Sequence, residues 1–182
     1  MRANKKLALT MLAILLILRA ALPSHILAGT SSSVATEWSV QVEKVVEGDV
    51  TIAPVFRIAI YENLLQQLAK SKQFKQVLRS GDRNADTVPN LLILKTTVES
   101  YSAGSETRRA VTTVSGATKL KVRSDLCTRE GQTVLEREVN GNVRFFGENL
   151  RATHNLARNV ANAIKQASLP QPKDSAPGSK DN

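Results

Sequence analysis

The chain has 182 residues, 42% of them hydrophobic, and a formal charge of +9, which fits about one globular domain and excludes a disordered or fibrous chain. A single cysteine, Cys127, excludes an internal disulfide, so the fold must rest on its hydrophobic core. Only 4% of the residues are aromatic, too few to set stacking platforms among the basic residues, and nucleic acid is not an expected partner.

The N-terminal stretch MRANKKLALTMLAILLILRAALPSHILAGT opens with Arg2, Lys5 and Lys6 and runs apolar from Leu7 to Leu18. It then reaches the small residues Ala28 and Gly29. A basic start, a short apolar run and a small-residue exit describe a secretory signal peptide, read here as residues 1–28, with cleavage after Ala28 or Ala35. The run of about twelve residues is short of the ~20 that cross a bilayer; an uncleaved N-terminal anchor is the alternative. No cysteine stands at either cleavage point to carry a lipid, so this route gives a periplasmic or secreted product with no stable membrane span. The leader removes Arg2, Lys5, Lys6 and Arg19 and no acid, which lowers the charge from +9 to +5, a moderate value that does not specify a nucleic-acid binder.

The folded domain is expected over residues 36–168, with Leu169 onward (LPQPKDSAPGSKDN) a disordered tail too poor in apolar surface to offset ordering entropy. WSVQVEKVV alternates Val40 and Val42 against Gln41 and Glu43, the pattern of a strand. After the turn EGDV the period changes: Ile60, Tyr61, Leu64, Leu65 and Leu68 recur at three and four, an amphipathic helix with Pro54 near its start. FKQVLRS reads as a short strand closed by the polar turn GDRNADTVPN. In LLILKTTVESYSAG, Leu91 to Leu94 are apolar on both faces, which places that strand centrally in a sheet. Ala110–Cys127 and Thr133–Arg144 read as two further strands joined at REGQ. A closing helix carries Leu150, Thr153, Ala157, Val160 and Ile164 on one side. The order β-α-β-β-β-β-α predicts an α+β two-layer sandwich: a largely antiparallel five-stranded sheet, two helices on one face, the other face wet. Leu64, Leu68, Leu94, Val122, Leu126 and Ile164 are the expected core.

The stretch TRRAVTTVSGATKLKVRSD concentrates basic residues. In its second half Leu120, Val122 and Leu126 alternate with Lys119, Lys121, Arg123 and Asp125, so one side is dry and the other charged. A two-residue turn at Glu130–Gly131 would set Leu126 opposite Leu135, Val122 opposite Val139 and Arg123 opposite Glu138. The basic row then meets acids on its own partner strand and reads as a solvated face rather than an anion site. Arg137 breaks the pattern by falling on the core side opposite Ser124. The remaining candidate anion-binding residues are Arg108 and Arg109, since paired guanidinium groups suit carboxylate or phosphate.

The chemistry-bearing residues are sparse. His154 falls on the last helix and Cys127 at a strand end, and nothing in sequence joins them as a nucleophile and base. No spacing of metal ligands, phosphate-cradling glycine loop or nucleophile elbow is present, and no metal or cofactor is expected. From Leu64 onward, LLQQLAKSKQFKQVL, VESYSAGSETRRAVTTVSGATKLKVRSDL, TREGQTVLE and NLARNVANAIKQ give a chain that resembles the bacterial exported family catalogued as domain of unknown function 4410. The resemblance rests on Gly104, Gly116, Gly131 and Arg109. It implies an exported envelope component, often a lipoprotein, without an established activity. This sequence departs from the pattern in lacking a lipid-bearing cysteine and in carrying Cys127 where members usually have an aspartate. The element order is also similar to small α+β domains of periplasmic assembly proteins such as the TolB amino-terminal domain. The expectation is an exported, non-enzymatic binding or assembly module whose partner is another envelope protein or a surface polymer. The alternatives are an enzyme with an unrecognised site and an anionic-polymer binder using Arg108, Arg109 and the basic side of the last helix.

Overall fold

The structure, a computed structural model, describes residues 37–105, 107–108, 116–143 and 148–172. The expected leader, residues 109–115 of the basic stretch (Arg109 among them) and the end of the expected tail lie outside the described residues. The elements in chain order are β1 (Ser39–Val42), β2 (Val46–Glu47), α1 (Pro54–Ser71), β3 (Val77–Arg79), β4 (Leu91–Ser102), β5 (Lys119–Thr128), β6 (Thr133–Asn140) and α2 (Arg151–Gln166). They form the expected α+β sandwich, with both helices packed on one face of a single sheet.

The sheet has six strands rather than five, and it is mixed. Its order is β3-β1-β4-β5-β6, with β2 beside β4 beyond the end of β1. β1 is parallel to both β3 and β4, β2 is parallel to β4, and only β4-β5-β6 is antiparallel. The first parallel pair follows from α1, a crossover helix that returns the chain so that β3 restarts in the direction of β1. The second was hidden by the polar segment between β3 and β4. Its turn residues (Gly81 at φ 76°, Asn90 at φ 52°) suit a hairpin, yet the segment runs back past β1, with a 3₁₀ turn at Ala85–Thr87, and starts β4 on the far side. Turn composition shows that the chain reverses, not where the next strand lands.

β4 is central, as the doubly apolar Leu91–Leu94 requires. Its inner face is kept in phase by a bulge: Val98 lies opposite Val122 and Tyr101 opposite Leu120, so Glu99 and Ser100 together span one step. Tyr101 thereby packs against Phe56 of α1, with ring centroids 4.8 Å apart. The expected core residues Leu64, Leu68, Leu94, Val122, Leu126 and Ile164 are all buried, at 0–3% exposure. α1 and α2 are tied through that core by Asn63, whose Nδ2 donates to Thr153 Oγ1 at 2.9 Å, while Thr153 Oγ1 donates to the Leu150 carbonyl at 2.7 Å. At the rim, Arg79 of β3 forms a two-pronged bond to Glu62 of α1, 2.7 Å at each oxygen.

α2 sits hard against the end of β6. Asn155 and Asn159, one helical turn apart, donate to the carbonyls of Asn142 and Asn140 at 2.9 and 2.7 Å. Gly141 lies between these anchors, and a Cβ there would collide with the Ala152 carbonyl and Leu156 and stand 2.7 Å from the Leu156 nitrogen. The chain also does not leave the fold at Leu169, where the tail was expected to begin. Leu169 packs against the core, the Pro170 carbonyl accepts a 2.8 Å bond from Trp38 Nε1, and Pro172 is buried.

Candidate functional site

The outer face of the sheet carries the charge alternation read from the sequence, and its register with β6 is the expected one: Val122 opposite Val139, Arg123 opposite Glu138, Leu126 opposite Leu135. The turn differs. Thr128 N donates to the Gln132 carbonyl and Gly131 N to the Thr128 carbonyl, a loop one residue longer than expected with Gly131 at φ 88°. Val134 is the compensating extra residue, since Cys127 pairs with Thr133 and Leu126 with Leu135. The register therefore survives a different turn.

The ion pairs do not follow the facing residues. Lys121 Nζ lies 2.8 Å from Glu138 and 3.3 Å from Glu99, while the Arg123 guanidinium turns along its own strand to Asp125 at 3.6 Å. The expected Arg123–Glu138 pair is thus replaced by a diagonal one. The β4 bulge presents Glu99 beside Lys121, and an ammonium held between two carboxylates outcompetes the directly opposite guanidinium. Hydrogen bonding to Glu138 first, then Glu99, raises the Lys121 pKa; the bond from Lys121 is the main cause of the lowered Glu138 pKa. Lys95, Lys119, Lys121 and Arg123 share this face with Glu99, Asp125, Glu136 and Glu138, so the basic row is balanced and is not a concentrated anion site. Arg137, placed on the core side by alternation, is exposed because β6 is the sheet edge; its Nη1 donates to the Glu136 carbonyl at 3.1 Å.

Of the two candidate anion-binding arginines, Arg108 is exposed, its backbone N–H donating to Ser105 Oγ at 3.2 Å; Arg109 lies outside the described residues. His154 is half-buried on α2. Cys127 is buried, with its Sγ 3.8 Å from Thr133 Oγ1. Strand alternation after Leu126 turns Cys127 to the face opposite the helices, so the two residues are not brought together. Among the described residues no group of three His, Cys, Asp or Glu side chains converges as a metal site, and no helix is long and apolar enough to cross a membrane.

Among the described residues a concave feature lies at one end of the sheet, where the sequence pointed to nothing. A cleft of about 900 Å³ opens between Val88–Leu91 at the start of β4, the β5–β6 hairpin, and the C-terminal Pro170–Gln171, with Trp38 at its base. A second hollow of about 380 Å³ adjoins it across Val88, Pro89 and Asn90. Arg129 fixes one wall, donating to the carbonyls of Ala85, Asp86 and Val88 at 2.6, 2.8 and 3.0 Å. That side chain is part of the wall rather than a free cation for a ligand. Trp38 is 7% exposed, its indole N–H satisfied by Pro170. The sequence signals were a lone tryptophan and a short proline-rich segment, 132 positions apart, which no local pattern connects.

Fold and surface together define a small two-layer α+β domain with an end-of-sheet cleft and a charge-balanced outer face. No family model and no curated protein matches the chain. Its fold is similar to that of the PelC dodecamer from Paraburkholderia phytofirmans, with TM-score 0.56, 12% identity, and coverage of 73% of this chain and 91% of that one. A variant of the same dodecamer matches with TM-score 0.50 and 14% identity over 68% of this chain and 85% of that one.

Proposed function

We propose that this protein is an exported component of a bacterial envelope that acts by binding and assembly rather than by catalysis, as one subunit of a homo-oligomer. The observation that carries the reading is the fold, which spans most of the subunit of a protein that itself assembles as a dodecamer. The leader-like N-terminus and the resemblance to domain of unknown function 4410 support the envelope location. Val46, Val55 and Ile58, large apolar side chains left 53–62% exposed on β2 and α1, support a surface that meets another protein. The balanced outer face favours protein assembly over an anionic polymer.

Two measurements test this. Amino-terminal sequencing of protein recovered from the envelope fraction should begin between about Gly29 and Thr36. Light scattering of that protein should give a mass several times that of one processed chain, which is lighter than the 19.8 kDa of the full sequence. A protein starting at Met1 in the membrane fraction would replace export with anchoring, and a stable monomer at high concentration would remove the assembly reading.

A further inference from the structure

The C-terminal segment Leu169–Pro172 is seated at the cleft in a particular way. Proline fixes φ at positions 170 and 172 and pushes the residues before them toward extended backbone, so Leu-Pro-Gln-Pro is biased to polyproline II before it touches anything. Burial follows the same period: Leu169 and Pro172 turn inward, three residues apart, while Pro170 and Gln171 between them are exposed. Three residues per turn is the polyproline II repeat. The Pro170 carbonyl receives the Trp38 indole N–H at 2.8 Å. An extended proline segment held by an aromatic side chain in a groove, with a backbone carbonyl taking its N–H, is the chemistry by which proline-rich peptides are recognised between chains.

We propose that the groove beside Trp38 is a docking site for this segment, and that in the assembled protein the segment filling it comes from a neighbouring copy of the chain. The reading rests on the homo-oligomer proposed above and names the contact. In the isolated chain the strap closes on its own domain, joined to α2 by Ala167 and Ser168 alone, with Ala167 already extended at φ −81°, ψ 134°. Release needs no unfolding of α2, because among the described residues the strap is held by the indole bond and two inward side chains. The same contacts re-form when the segment of a second copy takes its place, so exchange costs little beyond the loss of a tethered partner. The cleft of about 900 Å³ next to the strap leaves room for an incoming chain to approach.

Trp38 is the only tryptophan, so its fluorescence reports the groove directly. In the Leu169→Asp chain a charge replaces the inward leucine and lifts the strap. Acrylamide quenching of Trp38 should rise by about two-fold or more as the indole meets water, with far-UV circular dichroism unchanged. Adding an excess of the Trp38→Phe chain, which is dark and carries an intact strap, should reverse the quenching in a concentration-dependent way. A synthetic peptide of residues 167–174 should do the same at about millimolar concentration, the range a flexible tether supplies in cis. Should Leu169→Asp misfold, the Pro170→Gly, Pro172→Gly double variant loosens the strap without adding charge. Unchanged quenching in a folded strap variant overturns the docking site, and raised quenching that neither chain nor peptide reverses overturns the exchange. An oligomer of undiminished size in the Leu169→Asp protein also overturns the strap as the link between copies, while leaving the assembly reading intact. A monomeric wild type overturns the assembly reading, and the mixed-chain quenching then still decides the groove.

Discussion

Gly141→Ala should destabilise the protein far more than the addition of one methyl suggests. The new Cβ would stand 2.7 Å from the Leu156 nitrogen and collide with the Ala152 carbonyl and the Leu156 side chain. Two of those obstacles are backbone of α2, which cannot rotate away, so the helix must shift from the end of β6. Overpacking of this kind costs about 1–3 kcal/mol. A shifted α2 also strains the Asn155 and Asn159 bonds to the carbonyls of Asn142 and Asn140, each worth about 0.5–1.5 kcal/mol. A total of about 2–6 kcal/mol lowers Tm by about 8–24 °C for a domain of this size. Gly131→Ala is the control, since nothing lies within 4 Å of its Cβ and only φ 88° is at stake; a left-handed alanine costs about 1–2 kcal/mol. Urea and thermal unfolding followed by circular dichroism would rank the two. A Gly141→Ala loss smaller than that of Gly131→Ala would show that α2 does not approach β6 as described.

Leu68→Ala should cost about 2–5 kcal/mol, because Leu68 is fully buried between α1 and the sheet; a loss below about 1 kcal/mol would undock α1. Lys121→Thr should destabilise slightly more at low than at high salt, and more than Arg123→Thr, since Lys121 holds both Glu138 and Glu99. Equal effects of the two substitutions would refute the diagonal pairing. Glu62 and Glu138 both have carboxyl pKa values held below the ordinary 4.5, chiefly by hydrogen bonds from Arg79 and Lys121. Their contribution is therefore complete above pH 4.5 and lost as pH falls through the lower folded-state values. Tm of the wild type should accordingly converge on that of the Glu62→Gln, Glu138→Gln double variant in acid, and parallel curves from neutral pH downward would remove both pairs.

Much of this protein could be read along the chain, because the features concerned are local. Period three and four in Ile60–Leu68 demands a helix with one dry side, and alternation in Leu120–Leu126 demands a strand with one dry face. The hairpin register is also local: bringing Leu135 and Val139 opposite Leu126 and Val122 buries three inner positions and packs half-buried Leu135 against the core, and the β6 bulge restores that register although the turn is longer than expected. Tertiary structure decided whatever depends on where distant segments meet. A polar turn cannot state whether the following strand pairs with its predecessor or crosses β1, so the sheet became mixed. A lysine chooses its carboxylate only after a bulge on another strand has offered a second one, so Glu138 took Lys121 and not Arg123. The cleft and the strap over Trp38 join residues from opposite ends of the domain. Their sequence signals, one tryptophan and two prolines, carry no period, and only the folded chain places them side by side.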